Sequence, residues 1–194
     1  MTNKIDISNN IPKSRLSGAS FTLKNRLMRL LWEISWLFLC RYTPRPLHQW
    51  RIFVLRCFGA HIGQHCHIYP KVKIWAPWNL EMHDYACLAN EVICYTQAKI
   101  TLQERAIVSQ GVHLCTGSHD YNDPDFSLFA KPINIGKDAW ICADAFIAPG
   151  VNVGEGAVLG ARAVAFKDLQ AWQVYSGNPA QLIKQRQIRA RSHE

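Results

Sequence analysis

Between Ile62 and Gln170 an aliphatic residue recurs every six positions, and this register constrains the fold more than any other feature of the chain. Thirteen of the fifteen repeat-starting residues are Ile, Leu, Val or Met. These positions are Ile62, Ile68, Ile74, Met82, Leu88, Cys94, Leu102, Val108, Leu114, Ile135, Ile141, Ile147, Val153, Leu159 and Ala165. Neither the helical period of 3.6 nor the strand period of 2 produces a register of six. A chain that turns a corner after each six residues does, and three units then close one triangular coil. The register therefore predicts a parallel β-helix.

The same register divides the chain into three regions. We predict an N-terminal arm with helices over 1–60, the β-helix over 61–170, and a tail with a short basic helix over 171–194. The five predicted coils span 62–79, 82–99, 102–119, 135–152 and 153–170. The segment 120–132 interrupts the register between coils three and four. Insertions in repeat proteins lie on one face, and that face often binds a ligand.

The N-terminal region contains two predicted helices. Residues 1–20 are polar and predict an irregular arm, whereas 22–40 form an apolar stripe at helical spacing made of Leu23, Leu27, Leu30, Leu31, Ile34 and Phe38. This helix is too short and too charged to span a bilayer. Two interpretations stay open. In one, the helix caps the first coil or packs on a neighbouring subunit, and in the other its Trp and Arg residues lie on a membrane surface. A second helix is predicted over 47–58, ending at Gly59.

The charge balance and the cysteines limit the class of protein. The chain carries 22 basic and 14 acidic residues, a net charge of +8, which favours anionic partners such as phosphate-bearing cofactors or lipid headgroups. No zinc-finger, helix-turn-helix or RNP-like pattern accompanies it, so nucleic acid is not expected. Seven cysteines without a Cys-x-x-Cys pair indicate buried thiols in a reducing compartment. The N-terminus has no apolar signal core. We therefore predict a cytoplasmic protein, either free or at the inner face of the plasma membrane.

The candidate for chemistry is His119, which precedes the insertion. As the last residue of the third predicted coil it would sit at a corner, beside a loop, where a histidine can act as a general base near neutral pH. A purely structural role is the alternative. Asp120 could orient the imidazole ring, but an acidic residue at the start of a proline-containing loop is equally typical of a turn.

Several other side chains are of types that bind ligands or metals. His61, His65 and His67 fall at different corner positions and do not recur one coil apart, so no metal site is predicted. Gly160, followed by Lys167, could form a groove for an extended phosphate-bearing ligand, although any solenoid end carries similar residues. Trp140 fits either a ligand channel or a subunit contact. Aromatic residues on the flat sides suggest burial between subunits, for which a three-fold arrangement is the natural closed one. These aromatic residues are Tyr69, Trp75, Tyr95 and Phe146.

Seven motifs carry a more specific signal than the register. They are WRIFVLRCFGAHIG (50–63), HDYACL (83–88), VSQG (108–111), LCTGSHDYNDP (114–124), KPINIG (131–136), APGVNVGEGAVLGARAV (148–164) and GNPA (177–180). Together they resemble the hexapeptide-repeat sugar O-acetyltransferases, and in particular the colanic-acid-biosynthesis acetyltransferase group. The stretch LCTGSHD is the most specific of them, because many acyltransferases share the six-residue register.

The resemblance implies a fold and a reaction. The fold is a left-handed parallel β-helix, assembled as a homotrimer with sites between neighbouring subunits. The reaction transfers an acetyl group from acetyl-CoA to a sugar hydroxyl without a metal, with His119 as the general base. The positions that match the acetyl-CoA channel are Trp140, Cys142, Gly160, Phe166 and Lys167, with Arg186 a candidate for the phosphates. The candidates for acceptor binding are Asn90, Asp120 and Tyr121.

One departure from the family pattern concerns the acceptor. Maltose and galactoside acetyltransferases carry an acceptor-binding Asn where this chain has Ala89, and Asn90 lies one step further on. The acceptor therefore stays open between a sugar of an exopolysaccharide repeat unit and its lipid-linked precursor. Two other classes compete with this interpretation. One is a γ-type carbonic anhydrase, which needs three histidines converging on zinc, and the other is a non-catalytic β-solenoid binding module.

Overall fold

The structure is a computed structural model that describes residues 21–188, so the predicted arm over 1–20 lies outside the described residues. Two helices come first, α1 at Leu23–Leu39 and α2 at His48–Cys57, within one residue of the predicted bounds at each end. Short strands follow in chain order. They are β1 His61–Ile62, β2 His67–Ile68, β3 Lys73–Ile74, β4 Leu80–Met82, β5 Cys87–Leu88, β6 Ile93–Tyr95, β7 Ile100–Leu102, β8 Ile107–Val108, β9 His113–Cys115, β10 Gly117–His119, β11 Leu128–Ala130, β12 Ile133–Ile135, β13 Trp140–Ile141, β14 Phe146–Ile147, β15 Asn152–Val153, β16 Val158–Leu159, β17 Val164–Ala165, β18 Gln173–Ser176 and β19 Gln181–Gln185.

The strands form the three sides of a solenoid. Sheet 1 has the order β1-β4-β7-β12-β15, and sheet 3 has the order β3-β6-β9-β14-β17. Sheet 2 runs β2-β5-β8-β13-β16-β18-β19. The chain visits sheets 1, 2 and 3 in turn, and successive coils pair in parallel, for example Ile62 with Met82 and Ile68 with Leu88. The predicted parallel β-helix is therefore confirmed.

The six-residue register exists because two residues in most units of six, the first and the fifth, point into the narrow interior. All fifteen repeat-starting residues are buried. Four positions after most of them lies a small or β-branched residue that is also buried, such as Ala86, Ala106 and Ala139. Each buried aliphatic side chain contributes about 1.5–3 kcal/mol. Three converging sides leave space for one large side chain and one small one per unit, which explains the alternation.

The first coil is closed by side chains of the two helices. In the later coils, the carbonyl of a repeat-starting residue accepts an N–H from the preceding coil, as when Gly63 N–H donates to Met82 O at 2.7 Å. The first coil has no preceding coil, so its three equivalent carbonyls need other donors. Arg56 Nη2 donates to Ile62 O at 2.5 Å, Arg51 Nε to Ile68 O at 2.6 Å, and Trp32 Nε1 to Ile74 O at 2.6 Å. The capping interpretation of the N-terminal helix is confirmed.

The face of α1 that packs on the first coil carries the Trp residues, so the prediction that they lie on a membrane surface was wrong. Trp32 and Trp36 are buried against the first coil, and the Trp32 indole also contacts Phe58. The stripe, by contrast, is exposed, with Phe38 at 79% of its reference area. The two large aromatic side chains therefore decide which side of the helix packs on the first coil, although the row of aliphatic side chains on the other side is longer.

The C-terminal prediction was wrong. Residues expected to form a short helix form β19 instead, which pairs antiparallel with β18, while β18 extends sheet 2 beside β16. The register therefore continues beyond Gln170 for one more side of the solenoid. An open strand edge offers unpaired N–H and C=O groups, and pairing with them overrides local helix propensity.

Candidate functional site

The insertion between coils three and four is a β-hairpin that leaves the solenoid at the corner between sheets 3 and 1. Its strands are β10 and β11, and His119 pairs with Leu128 across them. The sequence placed His119 at the end of coil three. In the structure the excursion already begins at Gly117, so His119 lies on the first strand of the hairpin.

The residues before His119 explain the TG of the motif LCTGSHD. Thr116 is buried, and its hydroxyl donates to Tyr95 O at 2.5 Å and accepts from Ala98 N–H at 2.9 Å. A Cβ on the next residue, Gly117, would overlap the side-chain amide of Gln97. A larger residue at the base of the hairpin would therefore have to displace the Gln97 side chain.

One hydrogen bond determines which nitrogen of the His119 ring carries the hydrogen. Nδ1 lies 2.6 Å from the carbonyl oxygen of Phe126. A carbonyl oxygen can only accept, so Nδ1 carries the hydrogen and, in the neutral ring, Nε2 has the free lone pair. The side chain is exposed in the single chain. The arrangement can accept a proton at Nε2 from a group that approaches from outside.

The loop that supplies this carbonyl is shaped by its own aspartates. Asp120 Oδ1 accepts from Asn122 N–H at 2.9 Å, which is the turn-forming role that the sequence left as an alternative. Asp123 accepts from Asp125 N–H at 3.0 Å and also from the Ser127 hydroxyl. These bonds lower the pKa of Asp123 below its ordinary value, the Ser127 hydroxyl having the largest effect. Tyr121 is 79% exposed at the loop tip.

Phe166 and Lys167 line a pocket beside the C-terminal hairpin. They follow β17 at the corner between sheets 3 and 1, and the pocket has a volume of about 390 Å³. Its other wall includes Tyr175, Pro179 and Leu182. Sequence reasoning missed these three residues, although the motif GNPA (177–180) had marked the segment. Their place in the pocket depends on the β18–β19 pairing.

Three further predicted residues lie at or near the corner between sheets 2 and 3. Asn90 Oδ1 accepts from Lys71 N–H at 3.4 Å. Cys142 is half-buried, and burial raises the pKa of its thiol. A Cβ on Gly160 would come within 3.0 Å of Ser176 Oγ, so this glycine gives space to β18.

Trp140 and Arg186 lie elsewhere on the solenoid. Trp140 is exposed on sheet 2, where Nε1 donates to Ser109 Oγ at 2.9 Å. Arg186 lies near the corner between sheets 1 and 2, where Nη1 donates to Asp138 O at 2.9 Å and to Gly156 O at 2.8 Å. Its guanidinium carbon is 5.9 Å from the centre of the Trp172 ring. These contacts hold the C-terminal strand against the body of the solenoid.

A single chain does not bring all of the predicted site residues together. His119 and Lys167 lie at one corner of the triangle, whereas Asn90, Cys142 and Gly160 lie at another.

The histidines near the first coil point to different neighbours, as predicted. The His65 ring stacks on Tyr85 at 4.9 Å and the His67 ring on His48 at 4.7 Å. Within residues 21–188, no group of three or more His, Cys, Asp or Glu side chains is placed to hold a metal ion.

Comparison with solved structures identifies the class of fold. A maltose O-acetyltransferase from Clostridium difficile 630 superposes with a TM-score of 0.78 at 22% identity, over 90% of this chain and 96% of that one. The hexapeptide-repeat acetyltransferase VCA0836 of Vibrio cholerae O1 biovar eltor, solved with acetyl coenzyme A, also gives 0.78, at 20% identity over 90% and 97%. The chain therefore has the fold of hexapeptide-repeat acetyltransferases. No family model matches it.

Sequence comparison identifies the family. The chain is 43% identical over 175 residues to the Escherichia coli (strain K12) protein WcaF, described as a colanic acid biosynthesis acetyltransferase. The match covers 88% of this chain and 96% of WcaF. The chain belongs to the WcaF family of acetyltransferases.

Proposed function

We propose that the protein transfers the acetyl group of acetyl-CoA to a sugar hydroxyl in the biosynthesis of a colanic-acid-like exopolysaccharide. The observation that carries this proposal is the hydrogen bond between His119 Nδ1 and Phe126 O at 2.6 Å. It leaves Nε2 of the neutral ring as a proton acceptor on a hairpin whose base is packed against coil two.

In the proposed reaction, Nε2 of His119 takes the proton of the sugar hydroxyl as the hydroxyl oxygen attacks the thioester carbonyl carbon. Backbone N–H groups stabilise the negative charge that develops on the carbonyl oxygen. The carbon–sulfur bond then breaks, and the thiolate of coenzyme A receives the proton from the imidazolium. The products are the sugar acetate and free coenzyme A.

The pocket beside the C-terminal hairpin suits the acetyl donor. Phe166, Pro179 and Leu182 provide apolar walls for an extended chain, and Lys167 provides a cation for a phosphate. Trp140, Cys142, Gly160 and Arg186 stay candidates for the rest of the channel. Asn90, Asp120 and Tyr121 stay candidates for the acceptor.

A homotrimer would complete the site. The outer row of sheet 1 is polar, whereas those of sheets 2 and 3 are largely apolar. The sheet 1 row is His61, Glu81, Thr101, Asn134 and Asn152. The central parts of the other two rows are Ile107, Trp140 and Val158, and Ile93, His113, Phe146 and Val164. Two apolar sides and one polar side favour packing around a three-fold axis parallel to the solenoid. Such packing would bring different corners of neighbouring chains together.

The proposed location is the cytoplasm. All seven cysteines are unpaired in the structure, and Cys40, Cys66 and Cys94 are buried. Free thiols are typical of a reducing compartment.

The decisive experiment incubates the protein with labelled acetyl-CoA and a panel of lipid-linked and nucleotide-linked sugars. We expect transfer to at least one sugar, and a loss of at least about a hundredfold in the rate for His119→Ala, since general bases contribute roughly that much. Ser118→Ala, one position earlier on the same strand, is the matched control and should stay active. Undiminished turnover by His119→Ala, with acetyl-CoA still bound, would refute the role of His119.

A further inference from the structure

We infer that the end of the solenoid carrying α1 and α2 docks on an anionic membrane surface. This end face consists of the exposed apolar side chains of the two helices and the segment between them. They include Leu23, Leu27, Leu30, Leu31, Ile34, Phe38, Tyr42, Trp50 and Phe53.

The contacts of the two helices show which way this face points. The side chains of Trp32, Arg51 and Arg56 reach the first coil, so the opposite sides of α1 and α2 point away from the solenoid. Trp50 Nε1 donates to Leu39 O at 2.8 Å, and the Trp50 and Phe53 rings lie 5.8 Å apart. The exposed side of α2 therefore joins that of α1 in one surface.

The charges around the end face favour anionic lipid. Residues 21–60 contain seven Lys or Arg and one acidic residue, Glu33. Of the cations, Lys24, Arg26, Arg45 and Arg56 are exposed, and Arg56 is directed toward the first coil. Apolar and aromatic side chains bordered by cations are typical of helices that lie in the headgroup layer.

The same charges argue against a second copy of this chain as the occupant. A symmetric contact through the end face would bring like cations together, and Glu33 alone could compensate them. The apolar rows of sheets 2 and 3 are separate surfaces that leave the end face free in a trimer. In the part of the chain that the structure describes, no helix has the length and apolar character needed to cross a bilayer. The end face would therefore lie on the membrane, with α1 parallel to its plane.

The geometry has a consequence for the acceptor, which rests on the proposed function. The hairpin with His119 leaves coil three, which lies two coils from the first coil, or about 10 Å at the usual strand spacing. The layer of α1 and α2 beyond the first coil adds about 10 Å, the diameter of a helix. A three-fold axis along the solenoid would place three end faces on the same side. The general base would then lie within reach of a saccharide carried on a membrane lipid.

The test measures sedimentation of the full chain with vesicles of phosphatidylglycerol or of phosphatidylcholine. We expect binding to phosphatidylglycerol that weakens as salt is raised. The double variant Leu30→Glu, Phe38→Glu should bind at least about tenfold more weakly, because each large apolar side chain contributes roughly that factor when buried. A second double variant, Lys24→Glu with Arg26→Glu, leaves the apolar residues intact and should also lose at least about tenfold. The matched control Ile183→Glu, on β19 at the other end of the solenoid, should bind like the parent.

Light scattering of each variant separates the alternatives. An unchanged oligomeric mass together with lost vesicle binding supports the inference. Four results would overturn it: no preference of the parent for phosphatidylglycerol, an equal loss in Ile183→Glu, dissociation of the oligomer by the end-face variants, or vesicle binding only after deletion of residues 1–20. The last two would show that another subunit or the N-terminal segment covers the face. The assay contains no acetyl donor, so failure here leaves the proposed acetyl transfer standing.

Discussion

Arg51 provides the sharpest test of how the open end of the β-helix is closed. Its side chain is fully buried within the chain. It donates to four neutral oxygen acceptors, and Nη2 also lies 3.2 Å from Nδ1 of His48. Nε donates to Ile68 O at 2.6 Å, Nη1 to Pro44 O at 3.0 Å and to Thr43 Oγ1 at 2.7 Å, and Nη2 to Arg45 O at 2.6 Å. One guanidinium thus caps an edge carbonyl of the first coil and holds the connection between α1 and α2.

We expect Arg51→Met to lower the free energy of unfolding by about 3 kcal/mol. A hydrogen bond from a charged donor contributes about 1.5–3 kcal/mol net, and a buried carbonyl left without a donor costs about 1–3 kcal/mol. Water cannot replace the donor to Ile68 O, since Ile68 is fully buried. His48 Nδ1 lies 3.0 Å from the same oxygen and compensates part of the loss. Pro44 and Arg45 are exposed, so water can replace part of the hydrogen bonds that their carbonyls lose. Removal of the buried charge offsets a further part of the loss in unfolding free energy.

The measurement is urea unfolding followed by tryptophan fluorescence, at one fixed protein concentration because subunit association shifts the apparent stability. Arg51→Lys should lose nearly as much as Arg51→Met, since an ammonium cannot reach the separate carbonyls that the planar fork spans. Arg56→Met is the matched control, because Arg56 caps Ile62 O but is itself exposed. We expect it to lose about 1 kcal/mol or less. If Arg51→Met lost no more than Arg56→Met, burial of the cap would not matter and the reasoning would be refuted.

Two further predictions concern the hairpin and the pocket. Gly117→Ala should lower the rate of acetyl transfer about tenfold, because the new methyl group displaces the strand that carries His119. Adding Gln97→Ala in the same chain should restore much of the rate, since it removes the side chain that the methyl group meets. A double variant no faster than Gly117→Ala would contradict this explanation. Lys167→Ala should weaken acetyl-CoA binding about tenfold in calorimetric titration through the loss of one phosphate contact, and unchanged affinity would remove Lys167 from the proposed site. Arg162→Ala, which removes another exposed cation, is the control for the second experiment.

Local patterns were sufficient for most of the fold. The register of six placed all fifteen repeat-starting residues in the interior, and both helices were predicted to within one residue. These features depend on neighbours in sequence, because a corner every six residues and a helical apolar period are each visible in a short window. The motif LCTGSHD likewise identified His119 as the candidate base.

Predictions that depended on distant partners fared less well. Gln181–Gln185 was expected to be helical, but β18 offered a free edge and the segment became β19. The stripe of α1 was correctly placed on one side of the helix, yet that side turned outward, since Trp32 finds an acceptor in Ile74 O. Neither the edge of β18 nor the carbonyl of Ile74 can be recognised from the spacing of residues within one short segment.

The sequence by itself determined the solenoid, its corners, and the position along the chain where the solenoid is interrupted. Only the tertiary structure decided how that interruption is used. It showed that Gly117 passes the Gln97 side chain, that the Phe126 carbonyl holds Nδ1 of His119, and that the C-terminal hairpin forms one wall of the pocket with Lys167. The physical reason is that a repeat is encoded by the spacing of single residues, whereas a site depends on contacts between segments that no spacing records.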